Sequence, residues 1–321
     1  MKRLLSVLAF AAVLAFPAAA QSFLRIELPA EDPLQVSNMM EPVLIEGVCS
    51  PDVVSVSVEY RFTPQDNEKA DAQQLKLIET YQLKKFVAGS GRFLYRAFPS
   101  LGNIGCGANQ FTVVGLTKSG AKVSDVATVM SYQYFGEKAK PVIYLYPTRE
   151  TRVSVNVRPA GGVSVSDPPI GAGWTVTARP DGRITNLADG KDYPYLFWES
   201  PDAAPPFAYR EGFVVARADL AGFFRARLAE LGLNAAETAD FLAYWLDALP
   251  AYPWYQFYFF DQARIDREAP LDISPAPDTV IRVFFDYRGL DDPVQVAPQV
   301  LSAPARRGFT VVEWGGRKYR R

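Results

Sequence analysis

Histidine is absent from all 321 residues. Without an imidazole the chain cannot assemble a Ser-His-Asp or Cys-His nucleophile, a histidine metal site or an imidazole proton shuttle. Cysteine is nearly absent too, since Cys49 and Cys106 are the whole complement. No sign of charge dominates: 34 basic residues face 35 acidic ones, which leaves no electrostatic case for nucleic acid as a partner. Beyond residue 20 no apolar run approaches the roughly 18 residues that a membrane-spanning helix needs, so no transmembrane segment is expected in the mature chain. No cofactor fingerprint and no metal-ligating cluster is found, and neither a cofactor nor a metal is expected.

What is present begins at the first residues. Lys2 and Arg3 precede the apolar run Leu4 to Phe16, and Ala18-Ala19-Ala20 supplies small residues before Gln21. This pattern reads as a cleavable signal peptide over residues 1–20, and it places the mature chain in the periplasm or outside the cell. In an oxidising compartment an isolated cysteine pair is expected to form a disulfide, here Cys49 with Cys106. The remaining 300 or so residues exceed what one hydrophobic core usually covers, so two domains are expected.

The expected fold class is an all-β immunoglobulin-like sandwich followed by a β-rich α+β domain with an inserted helical hairpin. Residues 21–134 carry about seven short runs of strand character, among them Leu24–Leu28, Val43–Val48, Val53–Phe62, Leu75–Val87 and Phe111–Leu116, separated by turn signals such as Gly89-Ser90-Gly91. Cys49 falls at the end of one run and Cys106 before the start of another, unlike the mid-strand pair of antibody-type domains. Residues 135–140 are read as a linker. From 141 to 321 the chain becomes rich in aromatic residues. A meander is expected from Trp174 through Asp181-Gly182 and Asp189-Gly190 to a strand at Tyr193–Glu199. Helical spacing of Leu220, Phe223, Phe224, Leu228 and Leu231 ends at Gly232, and Asn234 with Glu237 reads as a capping box opening a second helix. Strands at Trp254–Phe260, Val280–Tyr287 and Phe309–Trp314 complete the domain.

Candidate site residues are drawn from the aromatic blocks and from carboxylates beside them. On an extended chain Tyr193, Tyr195, Phe197 and Glu199 share one face and Trp198 takes the other; Trp254 and Tyr258 share a face of a second strand. Planar aromatic rings next to carboxylates suit the stacking faces and hydroxyls of sugars, although large aromatics also dominate ordinary cores. Tyr193, Tyr195, Trp198, Trp254 and Tyr258 are therefore the candidate ligand-binding residues. With histidine missing, Glu199, Asp261, Asp286 and Glu313 are the candidate acid–base catalysts, because desolvation on an apolar strand raises a carboxyl pKa. Two of them about 5–5.5 or 6.5–9.5 Å apart would serve retaining or inverting glycoside hydrolysis. Ser119-Gly120-Ala121-Lys122 has the spacing of a Ser-x-x-Lys motif but sits in a hairpin turn without partner motifs, and Asp189-Gly190-Lys191-Asp192 has too few carboxylates to hold calcium. The closing run Arg317-Lys318-Tyr319-Arg320-Arg321 is read as a solvated tail.

The strings KPVIYLYP (Lys140–Pro147), YPYLFWES (Tyr193–Ser200), APLDISPAPDTVIRVF (Ala269–Phe284) and GFTVVEWGG (Gly308–Gly316) resemble those of an uncharacterised exported bacterial domain family. The N-terminal half resembles a bacterial immunoglobulin-like domain. Neither resemblance implies an activity. The sequence leans away from an enzyme, toward an envelope protein that binds a glycan, peptide or protein partner through its aromatic C-terminal half; the alternative is a carboxylate-dependent hydrolase acting on a polysaccharide.

Overall fold

The computed structural model describes residues 21–36, 41–64, 75–131, 136–202 and 207–319; the signal peptide expected over residues 1–20 lies outside them. The first half contains β1 (Leu24–Leu28), β2 (Leu34–Val36), β3 (Val43–Cys49), β4 (Val53–Pro64), β5 (Lys76–Gln82), β6 (Arg92–Ala97), β7 (Gly107–Thr117) and β8 (Lys122–Ser131). They form a sandwich of two sheets, ordered β1-β3-β6 and β2-β8-β7-β4-β5. Period-two alternation decides which side chains meet between them. Val56, Val58, Tyr60 and Phe62 from β4 and Phe93, Tyr95 and Ala97 from β6 all face the shared core. Each such side chain contributes about 1.5–3 kcal/mol of burial, and a single aspartate at Val58, which is fully buried, would break the core.

No disulfide joins Cys49 and Cys106, contrary to expectation. The cause is the long β4–β7 ladder, which runs from Val53 opposite Thr117 to Pro64 opposite Gly107. Cys49 closes the strand that turns into Val53, whereas Cys106 precedes Gly107 at the far end. The ladder is roughly 30 Å long at 3.3 Å per residue, against the 4–7 Å or so between Cα atoms that a disulfide spans.

The second half is built from β9 (Gly136–Tyr146), β10 (Thr151–Val157), β11 (Val165–Asp167), β12 (Trp174–Ala178), β13 (Ile184–Asn186), β14 (Asp192–Tyr193), β15 (Leu196–Asp202), β16 (Phe213–Ala216), α1 (Leu220–Glu230), α2 (Ala235–Ala248), β17 (Trp254–Phe259), α3 (Gln262–Glu268), β18 (Leu271–Ser274), β19 (Thr279–Leu290) and β20 (Thr310–Tyr319). A seven-stranded sheet, β11-β15-β9-β20-β19-β17-β16, lies in the middle. One of its faces packs on α1 and α2 through Val142, Phe257, Phe285 and Val312 against Phe224, Phe241 and Trp245. Its other face packs on a five-stranded sheet, β14-β13-β12-β10-β18, through Ile143, Leu196, Trp198 and Phe284 against Val153, Trp174 and Val176. The molecule is thus a β-sandwich followed by an α+β unit of helix, sheet and sheet layers. Among the described residues no helix is long and apolar enough to cross a membrane.

Three further expectations change. From Gly136 onward the supposed linker, 135–140, is the first half of β9, paired with both β15 and β20. The strand read at Tyr193–Glu199 breaks at Pro194, which has no amide hydrogen to donate; Tyr193 stays with the meander in the five-stranded sheet while Leu196 onward joins the seven-stranded one. Arg317 and Tyr319 are not in a solvated tail: both are 3% exposed within β20. Arg320 and Arg321 lie outside the described residues.

Candidate functional site

The site is assembled around an irregularity in β9. Between the pairs Ala139–Gly316 and Val142–Trp314, β9 spends two residues, Lys140 and Pro141, against the single Gly315 of β20. On its other edge it spends three residues against the two of β15 between Lys138–Ser200 and Val142–Phe197. An extra residue on the strand is a β-bulge, which also accommodates a proline inside a sheet. Lys140 takes the left-handed conformation at φ 52°, the one non-glycine residue with positive φ among those described. That conformation costs about 1–2 kcal/mol for a residue with a Cβ. Gly315 is needed opposite the bulge, because a Cβ there would sit 2.8 Å from the Phe284 ring and 3.1 Å from the Pro141 Cα.

The bulge aims Lys140 at the helix-side face of the sheet. Its Nζ lies 4.7 Å from the ring centre of Phe197, 5.3 Å from Tyr195 and 5.8 Å from Tyr244 of α2. Three rings around one ammonium form an aromatic cage. The Lys140 backbone N–H donates to Glu199 Oε1 at 3.2 Å, so the carboxylate closes the bulge. Lys318 Nζ stands 3.8 Å from Glu137 and donates to the Tyr244 hydroxyl at 3.5 Å. Tyr195 continues into Tyr144 edge-on at 5.5 Å, and Tyr144 stacks on Tyr146 at 6.3 Å. The Tyr144 hydroxyl donates to Asp240 of α2 at 2.8 Å, tying the helix to the strand.

Electrostatics set this face apart. Burial, reinforced by the neighbouring Glu137 carboxylate, pushes the Glu199 carboxyl above its ordinary range despite Lys140 and Lys318. Burial followed by the two carboxylates lifts the Tyr244 phenol to about 12, so it is a neutral hydrogen-bonding group at physiological pH. Tyr195, Phe197, Glu199 and Tyr244 are all half-buried: each keeps an accessible part while held by packing.

The fold scatters the remaining candidates. Trp198 is fully buried on the opposite face, its indole donating to Glu313 Oε1 at 2.9 Å, and it cannot contact a ligand. Tyr193 donates its hydroxyl to Asp189 in the meander. Trp254 and Tyr258 are half-buried on β17, where Tyr258 stacks at 3.9 Å on Tyr209. Asp261 caps α3 by accepting from the Arg264 backbone. Glu313 accepts from Arg282 Nε at 2.6 Å, and both side chains are essentially unexposed. Asp286 accepts from Arg317 at 2.8 Å and from the Tyr319 hydroxyl at 2.6 Å. Glu313 and Asp286 face the inter-sheet core while Glu199 faces the helices, so the sheet itself separates the proposed catalytic partners, and the two inner ones are clamped by guanidinium groups.

Lys140, Tyr244, Glu137 and Lys318 are not among the candidate site residues of the sequence, which reads Glu137 and Lys140 as linker and Lys318 as solvated tail, whereas they stand on β9 and β20. The one signal for them is Pro141 inside an apolar strand, which marks a bulge. Among the described residues no group of three or more acidic or thiol side chains is placed to hold a metal.

No family model matches this chain. In fold comparison it is similar to the crystal structure of CopC from Methylosinus trichosporium OB3b, at 16% identity and a TM-score of 0.24, over 35% of this chain and 97% of that one; so low a score carries no argument. Over 67 residues, 20% of its length, the chain is 45% identical to the uncharacterized protein in the bglA 3' region of Butyrivibrio fibrisolvens, and the match covers 68% of that protein. With more than two thirds of the relative matched at that identity, the chain belongs to the family of this uncharacterized Butyrivibrio fibrisolvens protein.

Proposed function

We propose that this chain is an exported protein of the bacterial cell envelope that binds a glycan without turning it over. The observation that carries the reading is the accessible face where Tyr195, Phe197 and Tyr244 stand around the Lys140 ammonium beside Glu199. Aromatic faces offer stacking surface to the apolar side of a sugar ring. Glu199 accepts hydrogen bonds from hydroxyls, and Lys140 and the protonated Tyr244 phenol donate them. The residues are supported by a bulge, a sheet and a helix, which keeps them in place before the ligand arrives. The arrangement favours binding over hydrolysis, because the second carboxylate beside Glu199, that of Glu137, is paired with Lys318 at 3.8 Å, while Glu313 and Asp286 are clamped by guanidinium groups on the other face.

The test is calorimetric titration of the chain with peptidoglycan fragments and common oligosaccharides, with Tyr195→Ala, Lys140→Ala and Glu199→Gln as variants. A glycan that binds the parent and binds each variant at least about tenfold more weakly, with the oligosaccharide recovered intact, supports the reading. Equal binding by all four proteins, or release of reducing ends, overturns it.

A further inference from the structure

A cleft of about 620 Å³ opens between the two halves, remote from Lys140. Five consecutive residues of β6, Arg92 to Arg96, line one wall, and Arg288 to Asp292 at the end of β19 line another. Because successive side chains point to opposite faces, a consecutive run lining a cleft presents the backbone edge of its strand. Among the described residues β6 is the edge of its sheet, paired with β3 alone.

The ends of this edge are already occupied. Ser90 Oγ accepts from the Arg92 amide and donates to its carbonyl. Asn103 donates to the Arg96 carbonyl and accepts from the Phe98 amide. With the same parity, the Leu94 N–H and C=O lie midway, and no described residue bonds to them. Leu94 is 43% exposed.

Charge selects what fits beside it. Around the cleft Arg92 pairs with Glu46, Arg288 with Glu79, Lys85 with Asp291 and Lys84 with Asp292. Arg96, two residues from Leu94 on the same face, is exposed and has no ion-pair partner among the described residues.

From these placements we infer that the cleft takes an extended peptide segment of a partner protein, which adds to the edge of β6 through the backbone of Leu94 and sets a carboxylate against Arg96. Strand addition draws its affinity from main-chain hydrogen bonds and its selectivity from alternate side chains, and the boundary between domains is a favoured place for a ligand. The inference stands apart from the glycan-binding face and survives the failure of that reading.

The experiment titrates the full chain with capped hexapeptides of alternating valine and threonine, carrying aspartate, asparagine or lysine at the third position. A fourth probe is the aspartate peptide methylated on alternate amide nitrogens. The expected order is aspartate tighter than asparagine by about tenfold, lysine weaker still, and no binding of the methylated peptide. Arg96→Gln should erase the difference between aspartate and asparagine, and Leu94→Pro should abolish binding. Arg96→Gln changes an exposed side chain, so the question stays decidable if the proline variant fails to fold. Absence of heat from the aspartate peptide at about 1 mM, indifference to amide methylation, or an unchanged preference in Arg96→Gln overturns the inference. Protection of the Leu94 amide by a chito-oligosaccharide in place of the peptide would assign the cleft to a glycan and overturn it equally.

Discussion

At the scale of single residues, two glutamates on opposite faces of one sheet have opposite fates. Glu313 is held by Arg282 and Trp198 in the inter-sheet core. Glu313→Ala leaves a buried guanidinium whose one remaining ion-pair partner among the described residues is Asp266, and breaking a buried pair this way costs about 3–5 kcal/mol; urea unfolding should show a loss of that size. Glu199 titrates above the ordinary carboxylate range because of burial and Glu137. Between the ordinary pKa and the raised one, the folded chain holds a proton that the unfolded chain has released. Its contribution to stability therefore falls as pH rises through that window. Glu199→Gln should flatten the melting temperature against pH there. Asp202 and Glu268 act in the opposite direction. Burial would raise both, but Arg317 and Lys138 outweigh it at Asp202, and Arg264 with Lys138 at Glu268, so both carboxyls sit low. The stability they contribute is complete above the ordinary carboxylate pKa and disappears as pH falls toward their folded values. Glu199→Gln and the parent should instead lose stability in parallel in strong acid, where Glu199 is protonated in the folded and unfolded chain alike and both proteins lose the same Asp202 and Glu268 contribution.

Among the elements, α2 and β9 show what local pattern reveals and what it hides. The capping box of α2 is readable from Asn234 and Glu237, and both reciprocal bonds are made: the Asn234 side chain accepts from the Glu237 amide, and the Glu237 carboxylate accepts from the Asn234 amide. Asn234→Ala should lower stability by about 1 kcal/mol, measurable by thermal denaturation, and should loosen Tyr244 on the same helix. The inner face of α2, with Phe241, Leu242 and Trp245 buried, also follows from helical spacing. The bulge in β9 does not. A bulge is defined by the registers of both neighbouring strands, and those neighbours, Gly315 of β20 and Trp198–Glu199 of β15, arrive from distant parts of the chain. The break at Pro194 is of the same kind: proline marks a possible interruption, but which sheet each side joins depends on strands elsewhere.

For the whole molecule, the absence of a Cys49–Cys106 bridge means that stability rests on packing, which among the described residues falls into three cores, one in the sandwich and one on each face of the seven-stranded sheet. Melting temperature should accordingly be the same with and without a thiol reductant, and alkylation after denaturation should label two cysteines per chain; a melting temperature that falls on reduction would contradict the structure. Between the halves, Lys85–Asp291 and Lys84–Asp292 are largely exposed, so each contributes at most about 1 kcal/mol, while Ser100 and Tyr252 share a hydroxyl hydrogen bond at 2.7 Å.

What the sequence determined alone is what depends on neighbours in the chain. The two-part β-rich fold class, most strands, the helical hairpin with its cap, and the shared face of Phe197 and Glu199 follow from periodicity and turn chemistry over spans of a few residues. Only the tertiary structure decided that Trp198 is buried, that Arg317 joins an internal ion network with Asp202 and Asp286, and that Lys140 meets Tyr195, Phe197 and Tyr244. Each of these is set by strand register and by which sheet face another layer covers. Those quantities come from packing between residues 31 to 115 positions apart, and no local pattern encodes them.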